Sequence, residues 1–120
     1  MATQTLPTAA PAHDTFPING TDFVEFWVGN AKQAAHYYQT AFGYQLVAYR
    51  GPETGTEDRA SYMLQQEKIR LVLTSALGPD GAIAEHVRRH GDGVRDIALW
   101  VDDARDAFAK AVERHATPAR

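Results

Sequence analysis

Along residues Thr21 to Val28 (TDFVEFWV) aromatic and β-branched side chains dominate, the composition of a strand, and Gly29-Asn30 then supplies a stop and a helix N-cap candidate. From Ala31 to Phe42 the period turns helical, with Ala34, Ala35, Tyr38, Ala41 and Phe42 on one side. Gly43 stands where a helix end favours a left-handed residue. Tyr44 to Tyr49 reads as a strand. Gly51 to Asp58 (GPETGTED) predicts a solvated loop. Ala60 to Leu64 and Lys68 to Ser75 alternate as two strands around Gln65-Gln66-Glu67, so these segments predict a small, mainly antiparallel sheet. Gly78-Pro79-Asp80-Gly81 predicts a turn, and Ala82 to His90 a short helix with Ile83 and Val87 on one side and Gly91 past its end.

The pattern then restarts. Asp22 to Ala34 (DFVEFWVGNAKQA) aligns with Arg95 to Ala107 (RDIALWVDDARDA) at an offset of 100 − 27 = 73 residues, matching Trp27 with Trp100 and Ala31 with Ala104. The second copy predicts a strand and a helix from Ala104 to His115 with Asp103 as N-cap. Only five residues follow it, so the unit is incomplete. Because residues two apart share a strand face, Val24, Phe26 and Val28, and likewise Ile97, Leu99 and Val101, form apolar faces expected to pack on helices. Phe23, Glu25 and Trp27, with Asp96, Ala98 and Trp100, form mixed faces suited to a cavity wall.

Composition narrows the function. The chain has 120 residues, 12 Lys+Arg against 15 Asp+Glu, and no Cys. One small domain fits that length, and disulfides, thiolate metal sites and cysteine nucleophiles are excluded. A net charge of -3 without a basic block gives no footprint for nucleic acid. No apolar run approaches the ~20 residues of a membrane span and no signal peptide opens the chain, so neither a nucleic acid nor a membrane is an expected partner and the cytoplasm is the expected compartment. Residues 1–20, rich in Thr, Ala and Pro, are expected to form a mobile lead-in to a domain over residues 21–120.

Few residue sets suggest chemistry. His86 and His90 share a helix face at four-residue spacing, a zinc-like pattern, but Val87 stands where a zincin needs Glu and no third ligand is near. His90-Gly91-Asp92-Gly93 follows a helix instead of opening one, so it reads as a helix stop, not a phosphate loop. His36, Tyr37 and Tyr38 read as packing, and Ser61, Thr74 and Ser75 lack a nucleophile-elbow context. Glu53, Glu57 and Asp58 are better explained by solvation than by acid–base work.

Five blocks carry a resemblance: FWVGNAKQAAHYY at Phe26 to Tyr38, FGY at Phe42 to Tyr44, LVAYRGPETG at Leu46 to Gly55, KIRLVLTSAL at Lys68 to Leu77 and HGDGVRDIAL at His90 to Leu99. From Phe26 to about His115 the chain resembles the N-terminal domain of the 4-hydroxyphenylpyruvate dioxygenase family, within the vicinal oxygen chelate superfamily. The resemblance implies an α+β fold: a βαβββ module over about residues 21–77, a linking helix and an incomplete second βα unit. It also implies a parent enzyme that converts 4-hydroxyphenylpyruvate and O2 to homogentisate and CO2 in tyrosine catabolism. The parent's Fe(II) would be held by two His and one carboxylate in its C-terminal domain. In this chain the corresponding first-strand ligand positions are Phe23 and Asp96, and Phe23 cannot ligate a metal. The resemblance therefore implies no catalytic, cofactor-binding or metal residue here, no cofactor bound by this chain, and inactivity of the chain alone.

The expected partners are the missing C-terminal catalytic domain and further copies of the chain in a homo-oligomer, since an uncovered strand edge and apolar face favour association. Two other readings remain: the same half of the sister enzyme hydroxymandelate synthase, and a stand-alone ligand-binding module or interaction domain of the superfamily.

Overall fold

The computed structural model describes residues 17–119. In chain order the elements are β1 (Ile18–Trp27), α1 (Ala31–Phe42), β2 (Gln45–Arg50), β3 (Arg59–Gln66), β4 (Ile69–Ala76), α2 (Ala82–His90), β5 (Gly93–Val101) and α3 (Ala104–Glu113). The five strands form one sheet in the order β2-β3-β4-β1-β5. The fold is α+β with a βαβββ module, as the sequence predicts. By contacts the chain divides into a unit Thr21–Leu99 and a second unit of residues 17–20 with 100–119.

Within the first unit, both ends of α1 are set by single residues. Asn30 is extended, and its side chain accepts the Gln33 amide at 3.0 Å, satisfying one of the free N–H groups of the first turn. Gly43 takes φ 78°, a left-handed conformation that spares only glycine a steric cost, and its amide closes the helix onto Gln39. The buried stripe of Ala31 and Ala35 brings α1 close to the sheet, where Val28, Leu64 and Leu73 complete the core and Phe26, Tyr38 and Tyr62 flank it. Small residues on the helix and large ones on the strands are complementary shapes for close packing.

The sheet is mixed. β2–β3 and β3–β4 are antiparallel, as expected, but β1 runs parallel to β4, with Val24 opposite Leu71 and Trp27 opposite Thr74. The βαβ-like crossover through α1 brings β1 to the far side of β4, and the strand direction follows from that connection. β1 also starts at Ile18, before the expected Thr21. Of the lead-in expected over residues 1–20, residues 1–16 lie outside the described residues, and 18–20 belong to β1.

Two further expectations change. The acidic loop after β2 contains a 3-10 turn at Pro52–Thr54. Thr54 Oγ1 accepts the Gly51 amide and donates to the Gly51 carbonyl, both at 2.9 Å, and Gly51 is buried. Ile97 and Leu99, expected against a helix, are 58% and 51% exposed. The reason is positional: α1 lies over β2, β3 and β4, while β5 is the sheet's edge strand.

In the second unit, Asn19 Nδ2 donates to Asp102 Oδ1 at 2.7 Å, and Asp103 caps α3 by accepting the Asp106 amide at 3.1 Å. The Asn30 and Asp103 caps are themselves 103 − 30 = 73 residues apart, so the internal repeat extends to cap geometry. α3 ends at Glu113, short of the expected His115, which takes φ 76° beyond the helix.

Candidate functional site

The strand face that carries the buried Leu64 and Leu73 is taken by α1. On the opposite face a polar row crosses four strands. Arg50 of β2 pairs with Ser61 of β3, and Ser61 pairs with Thr74 of β4. Thr74 Oγ1 donates to Glu25 Oε2 of β1 at 2.8 Å, and Ser61 Oγ lies 2.8 Å from Thr74 Oγ1. A threonine hydroxyl has one proton and this one goes to Glu25, so Ser61 is the donor in its bond with Thr74. Both protons thus point toward the carboxylate. Thr74 is fully buried, and a buried hydroxyl with both its donor and acceptor roles filled fixes the relay in place.

Glu25, Arg50 and Ser61 line a cavity of about 450 Å3 together with the apolar Phe23, Met63 and Val72. That volume and mixture are those of small-molecule sites. Arg59 stands at the same cavity, paired at 3.2 Å with Asp58. Among the described residues neither arginine forms an ion pair with Glu25. Sequence reasoning placed Phe23 and Glu25 on this wall but missed the row, because Ser61, Thr74 and Arg50 reach it only through strand order. Strand parity was the available signal, as Arg59, Ser61 and Met63 alternate with Ala60, Tyr62 and Leu64.

The other candidates fall in separate places. His86 and His90 do share a face of α2, with ring centroids 5.2 Å apart. His86 also meets the Trp27 ring edge-on at 5.3 Å, and the Arg95 guanidinium lies 4.7 Å over that indole. Asp92 of the HGDG segment accepts the Gly29 amide at 2.8 Å, so this turn fastens the exit of β1. Gly91 there takes φ 74°. Tyr37 and Tyr38 pack edge-on at 5.4 Å, and Tyr38 reaches Tyr44 at 5.9 Å.

The three acids of the loop do not converge. Glu53 accepts the Tyr49 hydroxyl at 2.6 Å, which pushes the phenol up to about 12 and holds the Glu53 carboxyl below its ordinary range. Asp58 is lowered by its hydrogen bond from Arg59, and Glu85 on α2 by those from Arg88 and Arg89.

Iron is tested by the donor set. Phe23, expected at one ligand position, presents a hydrocarbon ring, and Asp96, expected at the other, is an exposed side chain of β5. No group of three His, Cys, Asp or Glu able to hold a metal ion forms among the described residues. The residues present do not fit a two-His, one-carboxylate iron site, and no chemical step is assigned to one here.

The model of the Glyoxalase/Bleomycin resistance protein/Dioxygenase superfamily matches residues 22–120. The chain belongs to this superfamily. Among curated proteins it is similar to 4-hydroxyphenylpyruvate dioxygenase of Sus scrofa, 48% identical over 94 residues that make up 78% of this chain and 24% of that protein. The chain thus spans about a quarter of the length of such relatives. Among solved structures, a variant of 4-hydroxymandelate synthase from Streptomyces coelicolor superposes with TM-score 0.82 at 36% identity, covering 87% of this chain and 32% of that one. Methylmalonyl-CoA epimerase from Mycobacterium tuberculosis superposes with TM-score 0.69 at 19% identity over 88% of this chain and 69% of that one, a likeness of fold alone. No helix among the described residues is long and apolar enough to cross a membrane.

Proposed function

We propose that this superfamily chain is the N-terminal, non-catalytic portion of a 4-hydroxyphenylpyruvate dioxygenase. The parent enzyme converts 4-hydroxyphenylpyruvate and O2 to homogentisate and CO2 with Fe(II) held by a C-terminal domain, in the cytoplasm. The observation that carries this reading is 48% identity confined to about a quarter of a relative with that name. Phe23 supports the non-catalytic assignment, since a phenyl ring replaces a metal ligand at the start of the module. In this role the α1-covered sheet scaffolds the catalytic domain and copies of itself in a homo-oligomer.

Oxygen uptake tests the proposal. The isolated chain, supplied with Fe(II), ascorbate, 4-hydroxyphenylpyruvate and O2, is expected to consume no oxygen and retain no stoichiometric iron. Uptake coupled to CO2 release would place an iron site in these residues and overturn it. The 4-hydroxymandelate synthase likeness gives a second reading, which the product of the longer protein decides: homogentisate supports the dioxygenase and hydroxymandelate the synthase.

A further inference from the structure

Of the charged residues lining this cavity, Arg59 is paired with Asp58, while Glu25 and Arg50 are in no ion pair among the described residues. Glu25 and Arg50 stand at opposite ends of a hydroxyl row, and no ion pair joins them among the described residues. Three strand spacings separate β2 from β1, about 14 Å at ~4.8 Å per spacing, and both side chains line one cavity. We infer that this cavity binds a small zwitterion with an apolar body, the chemical class of α-amino acids with large apolar side chains, held between Glu25 and Arg50 over Ser61.

Each part of the site matches one part of such a ligand. The relay runs from Ser61 through Thr74 to Glu25, which makes the carboxylate its terminal acceptor. An ammonium is donor-only and completes that end. A guanidinium is also donor-only, so Arg50 takes the ligand carboxylate, and the planar fork favours a two-bond grip. Phe23, Met63 and Val72 offer the apolar wall for the side chain, and a volume of about 450 Å3 admits an aromatic one. A ligand carrying only one charge meets the like-charged end of the row uncompensated. Thr74 and Ser61 sit on paired antiparallel strands, so the polar floor is preorganised and little ordering is spent on binding. The site uses nothing from the dioxygenase reading, and its test needs neither iron nor 4-hydroxyphenylpyruvate.

The test is a titration of the chain with L-phenylalanine, followed by calorimetry and by amide NMR shifts. Phenethylamine and 3-phenylpropionate serve as analogues lacking one charge each. Saturable one-to-one binding is expected, with shifts centred on Glu25, Ser61 and Thr74. Each analogue should bind at least about tenfold more weakly, as loss of one charge-assisted bond implies. Glu25→Gln keeps an acceptor for Thr74, and Arg50→Ala alters an exposed side chain. Both variants should retain the wild-type spectrum and lose about tenfold or more in affinity. Absence of saturation by L-phenylalanine, equal binding of all three compounds, or undiminished binding by the folded variants would each overturn the inference.

Discussion

Tyr49 and Glu53 form a hydrogen bond of 2.6 Å across one turn of the loop after β2, and each changes the other's ionisation. The carboxylate raises the phenol to about 12, and the phenol lowers the carboxyl. The linkage has a definite sign. The Tyr49 part of the stabilisation is complete below the unfolded tyrosine value near ~10 and is lost as pH rises through about 12. The Glu53 part is present above the unfolded glutamate value and lost as pH falls through the lowered folded one. Ultraviolet titration of Glu53→Gln should show one phenol returning toward ~10, and an unchanged curve would contradict this assignment. Gly51 is tied to the same contact. Its φ of −169° is open to any residue, yet a Cβ there would overlap the Tyr49 hydroxyl. Gly51→Ala should therefore displace Tyr49 and reproduce the Glu53→Gln titration. Burial makes the contrasting case. Leu64 is 0% exposed at the contact of α1 with β3, so Leu64→Ala should cost about 2–5 kcal/mol by urea unfolding, while Leu46→Ala on the exposed part of β2 should cost under about 0.5 kcal/mol.

At the scale of elements, the helices were the most legible part of the sequence. Local signals determine them: Asn30 and Gly43 bound α1, and Gly91 ends α2 at the residue expected. Caps act within three or four residues, so sequence proximity carries them. Strand direction does not have that property. Alternation in Val24, Phe26 and Val28 identifies a buried face but is the same for a parallel and an antiparallel neighbour, so the pairing of β1 with β4 was invisible. The same reason hid the Arg50-to-Glu25 row, whose members come from four separate strands. The repeated caps give an element-scale prediction. Asn30→Ala removes the acceptor at the start of the helix that closes the core and should lower global stability by about 0.5–2 kcal/mol. Asp103→Ala removes the equivalent acceptor from α3, which contains no fully buried residue. Its effect should be local, with faster amide exchange in Ala104–Glu113 and an unchanged rate in α1. Faster exchange in both helices would show that the two caps serve one cooperative element.

The strand order places β2 and β5 at the sheet's two edges, and they expose different surfaces. β2 also exposes Leu46 and Val47, but it starts at Gln45 and ends in Arg50, polar residues of the kind that blunt an edge. β5 has Val94, Ile97 and Leu99 all near half exposure, with free backbone groups on its outer side. Apolar side chains and an unpaired ladder on one strand are the two ingredients of edge-to-edge pairing, so the chain is expected to self-associate through β5. Sedimentation velocity across a concentration series should show dimers or larger species growing with concentration. Ile97→Lys with Leu99→Lys adds charge to that strand without touching the Val28, Leu64 and Leu73 core, and it should shift the distribution to monomer while unfolding stays cooperative. The distinction matters for the proposed role. If the double variant still associates, the contact lies elsewhere, and if the wild-type chain is a monomer throughout, β5 needs no partner. Dispersal by the lysines would instead mark β5 as the strand through which copies of this chain meet.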